Sequence, residues 1–214
     1  REVRALVVTG GGDKAFAAGT DIAQFQSFES GEDGIAYELK MDRILGEIER
    51  CPVPTIAAIN GFCTGGGAAI AAVCDLRIGS ASAQFGFPIA RTLGNCLSMA
   101  NYARLAALIG PQRVKEMVLL AKLMDAPAAL ACGLMSELLP DQATLLARAE
   151  ELATIVAGHA PITMQVTKEA LRRLQARLGD ENIDDLVRLA YGSADFREGM
   201  AAFLGKRAPK WSCA

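Results

Sequence analysis

Few side chains in this chain are equipped for chemistry, and most of the candidates are weak when taken singly. Arg91 carries a guanidinium, a set of donors without an acceptor, so it is no general base. Its guanidinium suits a carboxylate or phosphate, or a structural ion pair at the rim of a site. Cys96 attacks only as a thiolate, and the single histidine of the chain lies far from it in sequence. That residue, His159, sits between Gly158 and Pro161 and reads as a structural residue at a helix end. Glu29, Glu32, Asp33, Tyr37 and Glu38 crowd one segment and read as solvated surface groups. The six cysteines (51, 63, 74, 96, 132, 213) are scattered without a C-x-x-C pair, so no metal site is expected. They read instead as free thiols of a reducing, cytoplasmic protein.

Backbone chemistry is the richer signal, because glycines cluster twice after apolar runs. Gly10-Gly11-Gly12-Asp13-Lys14-Ala15 fits G-x-G-x-x-A, but no helical stripe begins within it, which a dinucleotide site requires. Gly61 to Gly66 has the spacing of a phosphate-binding loop. Gly67-Ala68 stand where that loop needs Lys-Ser/Thr, so phosphate cradling fails.

The elements that hold these residues follow from periodicity. Ala5–Val8 reads as a buried strand ended by glycines. Leu39, Ile44, Leu45 and Ile48 recur at helical spacing until Pro52 and Pro54. Thr55–Ile59 is a second buried strand, Asn60–Gly66 a loop and Gly67–Cys74 a helix of small residues. Leu76–Gly79 and Ala83–Phe85 read as further strands. From Leu97 onward the chain is mostly helical, with Pro111, Pro127, Pro140 and Pro161 near helix starts and Asp125 as an N-cap. This pattern predicts an α/β domain with parallel strands and a helical C-terminal part, without linker or repeat.

Composition narrows the partners. Twenty-two basic and 24 acidic residues give a net charge of −2 without a basic stripe, which argues against nucleic acid and anionic membrane surfaces. The longest apolar stretch, Ala68–Cys74, is too short to span a bilayer. The start Arg1-Glu2-Val3-Arg4 is too charged for a signal peptide, and a chain opening on Arg reads as the remainder of something longer.

Two segments resemble the crotonase (enoyl-CoA hydratase/isomerase) superfamily. Lys14-Ala15-Phe16-Ala17-Ala18-Gly19-Thr20-Asp21-Ile22 is similar to the family's K-A-F-x-A-G-x-D-I. Pro54-Thr55-Ile56-Ala57-Ala58-Ile59-Asn60-Gly61-Phe62-Cys63-Thr64-Gly65-Gly66-Gly67 is similar to P-x-I-A-A-x-N-G-x-x-x-G-G-G. Cys74-Asp75-Leu76-Arg77, Ala83-Gln84-Phe85-Gly86 and the late Glu198-Gly199-Met200-Ala201-Ala202-Phe203-Leu204-Gly205-Lys206-Arg207 follow in family order.

The resemblance implies a ββα spiral core over residues 1–140, whose opening elements precede Arg1, and a helical trimerisation region of the same domain over 141–214. It implies an acyl-CoA thioester substrate, so coenzyme A enters with the substrate and no prosthetic group is needed, and a homotrimer or dimer of trimers. It places the oxyanion donors at the backbone N–H groups of Thr20 and Gly66, where preorganised dipoles lower the barrier to an enolate. Glycine at 66 lets the ligand approach the backbone, and the helix near Gly67 turns its positive end toward the charge. Ala17, Ala18, Asp21 and Ile22 fall in the loop beside the nucleotide. Phe203 and Lys206 fall near the CoA phosphates, often those of a neighbouring subunit. Asp21 and Asp75 read as turn-holders.

Departures from the family pattern fall at the acids and in the segment after Pro88. The first of two family glutamates falls at Ala69, and the second follows Pro88, where Ile89 and Ala90 stand. The stretch from Pro88 to Leu93 reads as one residue longer than the pattern, and Arg91, Asn95, Cys96 and Ser98 are the polar groups nearby. The expected function is therefore a crotonase-type enzyme that stabilises an enolate, with hydration itself in doubt. The alternative is a non-catalytic acyl-CoA-binding pseudoenzyme or scaffold.

Overall fold

A computed structural model describes residues 3–212. Arg1, Glu2 and Cys213 lie outside the described residues, and with them the expectations for the charged start and the sixth thiol.

The chain winds as repeated strand–strand–helix turns. The first turn is β1 (Leu6–Thr9), β2 (Ala15–Ala17), a 3₁₀ segment (Ile22–Ser27) and α1 (Gly31–Glu49). The second is β3 (Thr55–Ile59), β4 (Phe62–Thr64) and α2 (Gly66–Val73), and the third β5 (Leu76–Ser80), β6 (Gln84–Gly86) and the short α3 (Ile89–Thr92). There follow α4 (Met99–Ile109), α5 (Pro111–Leu119), β7 (Met124–Asp125), α6 (Ala126–Ala131) and β8 (Glu137–Leu139). The last four helices are α7 (Gln142–Ala157), α8 (Pro161–Ala176), α9 (Asp184–Gly192) and α10 (Ala194–Leu204). Each of these three turns delivers its first strand to one sheet and its second to another; β8 completes the first sheet, ordered β1-β3-β5-β8, and β7 the second, ordered β2-β4-β6-β7. All pairings are parallel except β6 with β7. This is the ββα spiral expected from the sequence, and it also accounts for the continuous apolar run at β3, buried at every position.

Three expectations need correction. Strand β1 is not buried among the described residues: Leu6 is exposed and Val7 and Val8 are half-buried, with β3 the only strand described beside it. The Asn60–Gly66 loop contains β4. Helix α1 exists, but only half of its expected stripe faces inward: Leu45 is buried and Ile48 packs on the core, Leu39 and Ile44 face solvent, and Gly34, Glu38 and Gly46 are buried instead. Helix α7 lies within the 141–214 region yet packs on the first sheet, where Leu145 and Ala149 meet Ala58 and Ile78.

Small residues set the distance between layers. A Cβ on Gly67 would lie 2.2 Å from the carbonyl oxygen of Ala17, so α2 sits directly against β2. Ala68 and Ala71 of the same helix are fully buried in the main core with Leu45, Phe85, Phe87 and Leu105. Asp75 holds the β3–β5 corner, accepting from the N–H and hydroxyl of Thr55 (2.7 and 2.9 Å) and from the ammonium of Lys168 on α8. Asp125 caps α6 through the N–H of Ala128 (2.9 Å).

Candidate active site

A cavity of about 200 Å³ opens where the second sheet, α1, α2, α3 and α10 converge. Its floor is backbone. Gly65 takes φ +53°, a value open to glycine, and its N–H donates to the carbonyl of Gly86 (3.0 Å), so the chain turns sharply into α2. Gly66 is the first residue of that helix, so its N–H has no carbonyl one turn back to reach. Thr20, on the loop after β2, brings its own N–H alongside: a Cβ on Gly66 would lie 3.6 Å from Thr20 N and 3.0 Å from its Oγ1. Among the described residues neither amide donates to a protein acceptor. Two unspent N–H groups on adjacent loops, one at a helix N-terminus, can receive developing negative charge.

The loops are pinned by side chains. Thr64 Oγ1 donates to the carbonyl of Ala18 (2.9 Å), and Thr20 Oγ1 is 2.8 Å from the hydroxyl of Tyr37 on α1. Asp21 caps the 3₁₀ segment by accepting from the N–H of Ala23 (3.0 Å), which makes it a turn-holder as read.

Apolar groups form most of the wall, including Leu45, Phe87, Leu93 and Leu97. Ala69 and Ile89 both line it and are buried. The polar exceptions lie together. Glu38, read in the sequence as a solvated surface group, is instead 6% exposed and lines the cavity. Its Oε1 accepts from the Tyr191 hydroxyl (2.5 Å) and its Oε2 from the N–H of Ser98 (3.0 Å). Burial raises its pKa to about 7, helped by the nearby charge of Asp42 and opposed by the Tyr191 and Ser98 hydrogen bonds. Asn95 donates through Nδ2 to the Tyr191 oxygen (3.2 Å), and its buried Oδ1 has no hydrogen-bond partner among the described residues. Burial pushes the Cys96 thiol up to about 12, so it remains an SH group rather than a nucleophile.

The signal for Glu38 was present in outline. Gly34, Glu38, Met41 and Leu45 fall on one helical face, and an acid in such a stripe is out of place. Tyr191 was missed altogether, since nothing local marks a residue whose role is to bury an acid 153 positions away.

The other sequence candidates divide. Ala18, Thr20, Ile22, Gly66 and Phe203 line the cavity, Phe203 from α10 of the same chain. Ala17 lies in β2 with its carbonyl against Gly67, and Lys206 is exposed just beyond α10. Arg91 is exposed on α3 and lies outside the cavity lining. Ser98 caps α4 and bonds Asp42 (2.8 Å). Among the described residues no cluster of three His, Cys, Asp or Glu could hold a metal ion, and no helix is long and apolar enough to cross a membrane.

Comparison with known proteins gives a consistent picture. The profile of the family described as Enoyl-CoA hydratase/isomerase matches residues 1–213. The short-chain-enoyl-CoA hydratase of Clostridium acetobutylicum is 31% identical over 211 residues, 96% of this chain and 79% of that protein. The 2,3-dehydroadipyl-CoA hydratase of Escherichia coli is 34% identical over 97% of this chain and 80% of its own length. Among solved structures, methylmalonyl-CoA decarboxylase in complex with 2-nitronate-propionyl-CoA superposes with a TM-score of 0.88 at 28% identity, over 99% of this chain and 82% of that one.

Proposed function

Since this chain belongs to the enoyl-CoA hydratase/isomerase (crotonase) family, we propose that it binds an acyl-CoA thioester and processes it through an enolate. The observation that carries this reading is the pair of unspent N–H groups at Thr20 and Gly66, set together at the floor of a largely apolar cavity. A thioester oxygen between them gains charge as the enolate forms, and donors already aimed there need no reorganisation. The acyl chain lies against Leu45, Phe87 and Leu97. Ala18 and Ile22 at the mouth, with Ala17 and Asp21 behind them, shape the loop beside the nucleotide, and Phe203 covers the entrance. Lys206, exposed and cationic, is read as a partner for the CoA phosphates. Coenzyme A arrives as part of the substrate, and no prosthetic group is invoked.

Likeness to hydratases does not make hydration the reaction of this chain. By the resemblance, the positions of the two family glutamates fall at Ala69 and at Ile89 or Ala90, and Ala69 and Ile89 stand in the wall. That observation also favours the second reading, a CoA-binding protein without turnover. Titration with a set of acyl-CoA thioesters, followed by turnover assays on the same set, separates them. Absence of binding overturns both readings, and binding without turnover by any thioester selects the second. Loss of turnover on Gly66→Ala supports the first. The exposed apolar side chains of α8–α10, among them Leu171, Leu189 and Leu204, are read as the surface between copies in a trimer or dimer of trimers.

A further inference from the structure

We propose that Glu38 is the catalytic acid–base group of this site, taking the proton from the substrate's Cα and returning it. The inference rests on the thioester reading above. Glu38 is the only carboxylate, and the only charged side chain, lining the cavity among the described residues. It stands one residue from Tyr37, whose hydroxyl is bonded to Thr20, so the acid and the N–H donors share one helix-to-loop connection.

Every other ionisable group facing it fails as a base. Tyr37 shares α1 with it, and burial raises that phenol above its ordinary value. Cys96 keeps its proton, and burial raises Tyr102 on α4 as well. Tyr191 on α9 is raised by burial and by the neighbouring Glu38, so it donates to the carboxylate and does not compete for the proton. Asp42, one turn along α1, lies outside the lining and is held by Ser98 and Arg104. What remains is a carboxylate fixed at both oxygens, near neutrality in its proton affinity, which is what a shuttle at neutral pH requires.

The step balances without a co-reactant. A Glu38 oxygen takes the Cα hydrogen as a proton. The C–H electron pair forms the bond between Cα and the carbonyl carbon, and the carbonyl pair moves to the oxygen held by Thr20 and Gly66. Glu38, now protonated, returns a proton to Cα.

In heavy water the returned particle is a deuteron, which gives a test independent of the physiological reaction. Butyryl-CoA incubated with the protein in D₂O is expected to gain deuterium at Cα, read by mass spectrometry. Glu38→Gln is expected to slow this roughly 100-fold or more while butyryl-CoA binding is retained. Tyr191→Phe removes a donor that favours the carboxylate form, so the midpoint of the exchange rate against pH moves upward. That readout stands even if the Gln variant folds poorly. Exchange at the parent rate in Glu38→Gln, or binding without exchange in the parent, overturns the assignment and leaves the oxyanion reading standing. Failure of butyryl-CoA to bind overturns both.

Discussion

The hydroxyl of Tyr191 donates to Oε1 of Glu38 at 2.5 Å, joining α9 to α1 across 153 positions of sequence. Tyr191 is itself nearly fully buried, and its ring rests on Gly34, where any Cβ would come within 2.3 Å of it. The pair therefore fixes the helix packing and the environment of the acid together.

The first prediction concerns stability against pH. The folded pKa of Glu38, about 7, lies above the unfolded value of 4.5, so the folded state binds the extra proton between those values. Glu38 favours the fold fully below pH 4.5, and its contribution is lost as pH rises through 7, by on the order of 3 kcal/mol. Asp42, also raised by burial, acts in the same sense from a lower starting value. Glu169 and Glu198, lowered by Arg172 and Arg207, act oppositely and only as pH falls below 4.5. Urea unfolding of Glu38→Gln across pH 4.5 to 7 is expected to show a flatter profile than the parent; an unchanged slope refutes it.

Adjacent glycines are expected to fail differently. In Gly66→Ala the tightest neighbour of the new methyl group is the Thr20 hydroxyl at 3.0 Å, the backbone lying at 3.6 Å or beyond, so the fold survives while turnover falls at least about tenfold. In Gly67→Ala it would lie 2.2 Å from a backbone oxygen of β2, so stability falls by about 3 kcal/mol. Thermal melts and kcat/KM on the two variants check both halves.

Hydration of crotonyl-CoA is expected to be slow in the parent and in Ala69→Glu, and faster when Ile89→Glu is added. Each positioned proton transfer is worth roughly 10²–10⁴-fold, and a single new acid at position 69 leaves the apolar Ile89 where the resemblance expects its partner acid. Loss of enone absorbance follows the reaction. Robust hydration by the parent would show that the groups already present suffice.

Assembly supplies a fourth prediction. Leu189 is 72% exposed on α9, and Leu171 and Leu174 are exposed on α8. Sedimentation is expected to show an oligomer that Leu189→Glu weakens. A stable monomer at micromolar concentration would refute the assignment of this face.

How much was legible in the sequence depended on whether the cause was local. The Gly65–Gly67 turn, the capping role of Asp125 and the buried run at β3 each follow from a few neighbouring residues. Exposure at β1 among the described residues is invisible to a hydrophobic run, which looks the same with one partner strand or two. The inner face of α1 misled for a related reason. Leu39 and Ile44 supply an apolar stripe, yet the neighbour on the inner side is an aromatic ring that selects Gly34 and Glu38. Arg91 was named for its charge near the position of the second acid and Lys206 for its place in a motif, and both side chains are exposed.

The bond between α1 and α9 also orders events during synthesis. Chains emerge from the ribosome at roughly 5–20 residues per second, N-terminus first. The spiral with its glycine turn can therefore form while Tyr191 is still unmade. Until then Glu38 lacks the hydroxyl that fixes its Oε1. A nascent chain halted before α9 would carry the Thr20 and Gly66 loops without the Tyr191 hydroxyl that holds Glu38.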